Sequence, residues 1–170
     1  MKKVFLVLLS ALMMAGTASA QLPIQRGNIL VNTSGSNVTL GFTDSSTSFN
    51  LGVSGGYFLA NKLALMGGLG FGYWSSGSGD WSYSSSSVVF SAGARYYFVE
   101  LGKGAFFGHG MLNITKVKDV DADLGLNIGA GYAIFLNDRV SLDPMFGISF
   151  PFKDGAKAAI AIGGGISVYF

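Results

Sequence analysis

From Ala122 to Leu136 the chain alternates residue by residue. Leu124, Leu126, Ile128, Ala130, Tyr132, Ile134 and Leu136 stand in one phase, and Asp123, Gly125, Asn127, Gly129, Gly131, Ala133 and Phe135 in the other. Period two is the mark of an extended strand, whose successive side chains leave opposite faces. The same split recurs along the chain. Val140, Leu142, Phe146, Ile148 and Phe150 oppose Ser141, Asp143, Met145, Gly147 and Ser149; Val88, Phe90, Ala92, Ala94, Tyr96 and Phe98 oppose Val89, Ser91, Gly93, Arg95, Tyr97 and Val99. Further strands are expected over 47–59 (Phe49, Leu51, Val53 and Tyr57 on the apolar face), 63–74 (Leu63, Leu65, Leu69, Phe71, Tyr73), 105–114 (Phe106, Leu112, Ile114) and from about 158 to the terminal Phe170. In the first strand Ile29 and Val31 are in one phase and Val38, Leu40 and Phe42 in the other, which a bulge near Ser34-Gly35-Ser36 would reconcile. The count is eight.

The connections fall into two sets. Ala60-Asn61-Lys62, Glu100 to Gly104 and Asn137-Asp138-Arg139 are tight turns; Thr43 to Ser46, the Ser-rich stretch Ser75 to Asp80, Lys116 to Asp121 and Pro151 to Lys157 join the strands at the other end. A weak internal repeat, Phe58-Leu59-Ala60-Asn61-Lys62-Leu63-Ala64-Leu65 against Phe135-Leu136-Asn137-Asp138-Arg139-Val140-Ser141-Leu142, surrounds two of the turns. Aromatics close the strands on the turn side (Tyr96, Tyr97, Phe98; Tyr169, Phe170), and Tyr73, Trp74, Trp81 and Phe150 mark the opposite rim. Two aromatic belts around an aliphatic band describe a membrane-spanning barrel, and about 11 residues at roughly 3.3 Å each, tilted near 45°, cross the required 25 Å or so.

Face chemistry argues against a soluble eight-stranded barrel of the lipocalin kind or a two-sheet sandwich. Those hide their large apolar residues and show charge to water. Here one face is Ile, Leu, Val and Phe, while the other collects Gly, Ala, Ser, Asn and the few charges. Eight strands leave room inside only for side chains, which suits 26 Gly and 12% charged residues.

The first twenty residues stand apart. Lys2 and Lys3, an apolar run from Val4 to about Met14 and Ala18-Ser19-Ala20 read as a cleaved secretory signal (1–20), leaving 21–170 as the barrel. The apolar run is short for a membrane anchor, and the absence of Cys excludes a lipid-modified cysteine and a disulfide framework. Of 11 Lys+Arg, two leave with the signal, so the remaining 9 match the 9 Asp+Glu and nothing points to nucleic acid.

The stretches GYFLANKLAL (56–65), ARYYF (94–98) and GYAIFLNDRVSL (131–142) with the terminal Phe170 resemble the small outer-membrane β-barrels of the Bacteroidetes type, related in architecture to OmpX-like barrels. The resemblance implies an all-β, antiparallel up-and-down barrel in the outer membrane of a Gram-negative bacterium, with short periplasmic turns and both termini periplasmic. Phe170, with Val168 and Ile166 in the same row, would then be the signal read by the assembly machinery. The expected partners are that machinery and outer-membrane lipid and lipopolysaccharide, the barrel itself being monomeric. No settled activity comes with the resemblance.

Chemistry is sparse. One His and no Cys leave no ligand set for a structural or multi-His metal site, no cofactor motif occurs, and the N-x-[ST] matches at Asn32, Asn37 and Asn113 are chance. The polar interior residues are Arg95, His109, Asp143, Asp123 and Asn127. In the hairpin closed by residues 100–104, Arg95 falls opposite His109, and Asp143 sits at a similar height, so an internal Arg95–Asp143 pair with His109 beside it is expected. Phe58, Tyr97, Phe107, Phe135 and Tyr169 point inward near the turns and should fill that mouth. The expected role is structural or surface-interacting, non-enzymatic, with Trp81 and Tyr83 as loop contacts. A narrow pore or small-molecule carrier is the alternative, and a lipid-modifying enzyme a further one.

Overall fold

The structure, a computed structural model, describes residues 22–34, 38–42, 46–78, 81–118, 121–153 and 155–170. The signal segment and the middle of the expected bulge, Gly35-Ser36, lie outside the described residues.

The strands form one antiparallel sheet that closes on itself. The first, β1, is in two segments, Ile29–Ser34 and Val38–Phe42, both paired to the next strand. It is followed by β2 (Ser46–Ala60), β3 (Leu63–Ser78), β4 (Trp81–Leu101), β5 (Gly104–Val117), β6 (Asp123–Asn137), β7 (Val140–Pro151) and β8 (Ala159–Tyr169), each hydrogen-bonded to its sequence neighbour. The first segment of β1 also pairs with β8, which makes eight strands in a ring.

The phase change in β1 has a register cause. Asn32 faces Ser54 and Val38 faces Leu51, so six residues of β1 run beside three of β2. An odd excess reverses the phase, because each residue step exchanges the two faces.

Outward rows carry Leu51, Val53, Leu65, Leu69, Phe71, Phe90, Leu112, Ile114, Leu124, Ile128 and Phe146, all exposed. A continuous apolar girdle of this extent matches hydrocarbon rather than water. The buried residues are instead inside the turn-side half: Phe58, Tyr97, Phe107, Phe135 and Tyr169, with Ala64, Met66, Leu30 and Ile24 of the segment preceding β1.

Two expectations are corrected. Val99 does not share the inner row with Tyr97: the register shifts between Tyr97 and Val99, and both Phe98 (49% exposed) and Val99 (48%) face outward. The same irregularity falls between Phe58 and Ala60 and between Phe135 and Asn137. Each of the three tight hairpins therefore has a bulge directly after a buried aromatic, so the internal repeat encodes a bulged turn. Nor is Ser75 to Asp80 simply a connection. β3 and β4 stay in register from Leu63–Tyr96 out to Ser78–Trp81, whereas β5 accompanies β4 only as far as Ser87–Val117. The backbone ladder continues through these Ser residues, and the rings of Trp74 and Tyr83, 5.6 Å apart, pack across it.

Candidate functional site

The interior has a floor and an open chamber above it. The floor is built at the inner rows of β1, β4, β7 and β8, where Arg95 (4% exposed) and Asp143 (1%) meet. Arg95 Nη1 lies 2.9 Å from Asp143 Oδ2. Ser141 Oγ donates to Asp143 Oδ1 and Ser167 Oγ to Oδ2, both at 2.5 Å. Asn32 Nδ2 donates to Ser167 Oγ at 2.7 Å and reaches the same Asp143 oxygen at 3.4 Å. Beneath them the hydroxyls of Tyr97 and Tyr169 are 3.0 Å apart, and Tyr169 is 3.2 Å from Ser141 Oγ. The Arg95 guanidinium stands 4.3 Å over the Phe107 ring, a cation–π contact. Both oxygens of this carboxylate are thus hydrogen-bonded and its charge is paired, the condition for keeping an ion pair away from water.

Ring packing closes the floor from below. Phe58 lies 6.0 Å from Tyr97 and 6.4 Å from Tyr169, Tyr97 lies 5.6 Å from Phe107, and Phe135 lies 5.4 Å from Tyr169, centroid to centroid. The turns tie these aromatics in by their backbones: Tyr97 N donates to Lys62 O, Phe135 N to Lys103 O and Tyr169 N to Arg139 O. Lys62 adopts φ 70° and Gly102 φ 59°, the left-handed conformation that tight turns require. The Lys62 amine, 2.8 Å from Glu100, is held above the ordinary lysine pKa by that hydrogen bond, so it stays charged throughout the physiological range.

His109 faces Arg95 in register, but its hydrogen bond goes elsewhere: Nε2 is 2.9 Å from Asn127 Oδ1, and Asn127 Nδ2 donates to Ser149 Oγ at 2.8 Å. Asp123 stands at the open rim, 3.6 Å from Lys153. The polar residues named from the sequence therefore divide into a floor pair, a wall chain and a rim pair. Sequence reasoning missed Asn32, Ser141 and Ser167 as members of the floor. Ser141 and Ser167 face each other in register beside Asp143 and were legible as inner-row residues, but Asn32 lies in the strand whose phase reverses.

Above the floor a chamber of about 710 Å³ opens at the loop end, lined by Asn32, Arg95, His109, Met111, Asn127 and Met145 among others. Phe170 exchanges two backbone hydrogen bonds with Ile29 at 2.9 Å, and its side chain is exposed, as is Ile166. Val168 faces Val31 on one side and Val140 on the other. Tyr83 is exposed on β4, its ring 5.6 Å from that of Trp74, while the Trp81 side chain lies outside the described residues.

No protein-family model matches the chain, and no curated protein matches it either. Solved structures do. The N-terminal β-barrel domain of Pseudomonas aeruginosa OprF aligns with a TM-score of 0.55 at 15% identity, covering 85% of this chain and 98% of that one. Neisserial surface protein A aligns at 0.55 and 15%, covering 84% and 96%. The Yersinia pestis outer membrane protein Ail in a phospholipid bilayer nanodisc aligns at 0.53 and 14%, covering 85% and 100%. At such identities the likeness is one of fold. The chain is an eight-stranded antiparallel barrel of the small outer-membrane type, with a filled turn-side half.

Proposed function

We propose that this is an integral outer-membrane protein of a Gram-negative bacterium, exported by the signal 1–20, with both termini in the periplasm, and that it serves as a structural or surface-interaction barrel rather than a pore or an enzyme. The observation that carries the reading is the floor: buried rings and a neutralised Arg95–Asp143 pair occupy the bore where a channel would need water. Surface interaction is supported by the β3–β4 hairpin, which continues past the end of β5 and offers Tyr83. Catalysis by a Ser-His-Asp arrangement is disfavoured because Asp143 is engaged by Arg95, not His109, and His109 is bonded to an amide. The lipid-facing girdle is the contact for outer-membrane lipid and lipopolysaccharide, and the Phe170 end for the assembly machinery. The finer affiliation with Bacteroidetes-type barrels rests on the quoted sequence stretches alone.

Membrane fractionation with heat-modifiable gel mobility tests this reading. Expected is a band in the outer membrane that migrates faster before boiling; a soluble periplasmic band would overturn it. Lipid A of unchanged mass with and without expression is the expected outcome for the non-enzymatic part.

A further inference from the structure

Among the described residues, the pairing of the first strand with the last covers only part of the barrel's height. The β1–β8 ladder runs from Leu30–Tyr169 to Ser34–Gly165, where the described stretch of that segment of β1 ends. Among the described residues, Ala159 to Gly164 of β8 pair with β7 alone, and the second segment of β1 pairs only with β2. In a bilayer an unpaired strand edge is costly, because lipid offers no hydrogen bonds. Beside this edge Ile162 is 85% and Ile160 70% exposed, and Ala161 and Gly163, which belong to the inner row, are exposed as well.

The chamber reaches the same place. Its lining joins interior groups (Arg95, His109, Met145) to Gly163 and to the outward residues Phe146 and Ile162, so one space runs from the polar floor to the lipid-facing wall. Three buried polar atoms around it have no hydrogen-bond partner among the described residues: Arg95 Nε and Asn32 Oδ1 at the floor and His109 Nδ1 on the wall. Arg95 and Asn32 converge on the same Asp143 oxygen, and His109 lies across the ladder from Arg95. An N–H donor, an acceptor and an imidazole nitrogen thus belong to residues that line one chamber with Met66, Met111, Met145 and Phe146. Lys157 adds a cation to the lining, and the rim carboxylate Asp123 is paired with Lys153.

From this we infer that the chamber is a binding site for a single-chain amphiphile with a small anionic head, the head seated against Arg95, Asn32 and His109 and the chain leaving toward the bilayer past Ile162 and Gly163 of β8. One chain suits the chamber better than two: an alkyl chain with its head group falls within the usual few hundred Å³ of a ligand pocket. A free fatty acid and an anionic monoacyl phospholipid share this chemistry. The inference rests on the barrel spanning a membrane, so fractionation tests that premise separately.

The test uses the folded protein in phosphatidylcholine nanodiscs and the fluorescent fatty acid cis-parinaric acid. Saturable binding is expected, displaced by palmitate or by lysophosphatidylglycerol at a concentration at least tenfold below that of hexadecanol; the better competitor identifies the source. Gly163→Phe, where an added Cβ meets nothing within 4 Å, should fold normally by heat-modifiable mobility and weaken binding at least tenfold. The pair Arg95→Met with Asp143→Leu should do the same through the head, and Ser84→Ala on the outer hairpin should change nothing. Equal displacement by hexadecanol, binding unaltered in folded Gly163→Phe, or no saturable binding would overturn the site. So would spontaneous disulfide dimers of Ile162→Cys at full yield, which would mean that a second copy covers the edge.

Discussion

Arg95 and Asp143 show how an internal charge is kept in a membrane barrel. The pair is neutral as a unit, and Ser141, Ser167 and Asn32 donate further hydrogen bonds to the same carboxylate. Removing one partner strands a buried charge, which costs about 3–5 kcal/mol, whereas replacing both by apolar residues is often neutral. Arg95→Met should therefore lower the urea midpoint of the detergent-folded barrel more than Arg95→Met with Asp143→Leu; additive losses would mean that the two do not act as a pair. Space is as strict as charge. A Cβ on Gly131 would lie 2.5 Å from Phe107 Cζ and 2.6 Å from the Pro144 carbonyl, and one on Gly129 would lie 2.6 Å from His109 Cε1. These two glycines let the rings approach the β6 backbone closely. Gly131→Val should destabilise the barrel by about 1–3 kcal/mol through overpacking, read from the same titration.

Among the elements, the bulged hairpin is the repeated unit. An inward aromatic, an outward apolar residue at the bulge and a turn whose last carbonyl receives the next aromatic's N–H occur at Phe58, Tyr97 and Phe135. The sequence exposed this as a resemblance between two stretches. It did not expose the bulge, since strict alternation put Val99 inside, and a register shift is visible only against a partner strand. Likewise Ser82 to Ser87 carried no periodicity, and only the ladder to Gly72–Gly77 reveals it as strand. The final element closes the ring: Phe170 gives and takes a hydrogen bond with Ile29. Deleting Phe170 should reduce the heat-modifiable outer-membrane fraction severalfold; an unchanged level would separate barrel closure from the assembly-signal reading. Removing residues 76–83 from the exposed hairpin should leave that fraction intact, because the segment lies beyond the end of β5.

Across the whole molecule, the filled half and the open half divide the work. With its floor in place the barrel should show no sustained single-channel openings in planar bilayers, and Tyr97→Ala with Phe107→Ala should be needed before any conductance appears. Steady openings of the unaltered protein would favour the narrow-pore alternative. Strand number, strand polarity and the identity of lipid as the outer solvent were all legible from alternation, because a period of two assigns each residue to a face without reference to any other strand. The Arg95–Asp143 contact was legible too, since heights above the turns can be counted along one hairpin. The place of Asn32 beside that pair, the hydrogen bond of His109 to Asn127 instead and the pairing of Ile29–Ser34 with both β2 and β8 were not. Each depends on how β1 meets both β2 and β8, and that is a register between residues at opposite ends of the chain, settled only when the sheet closes.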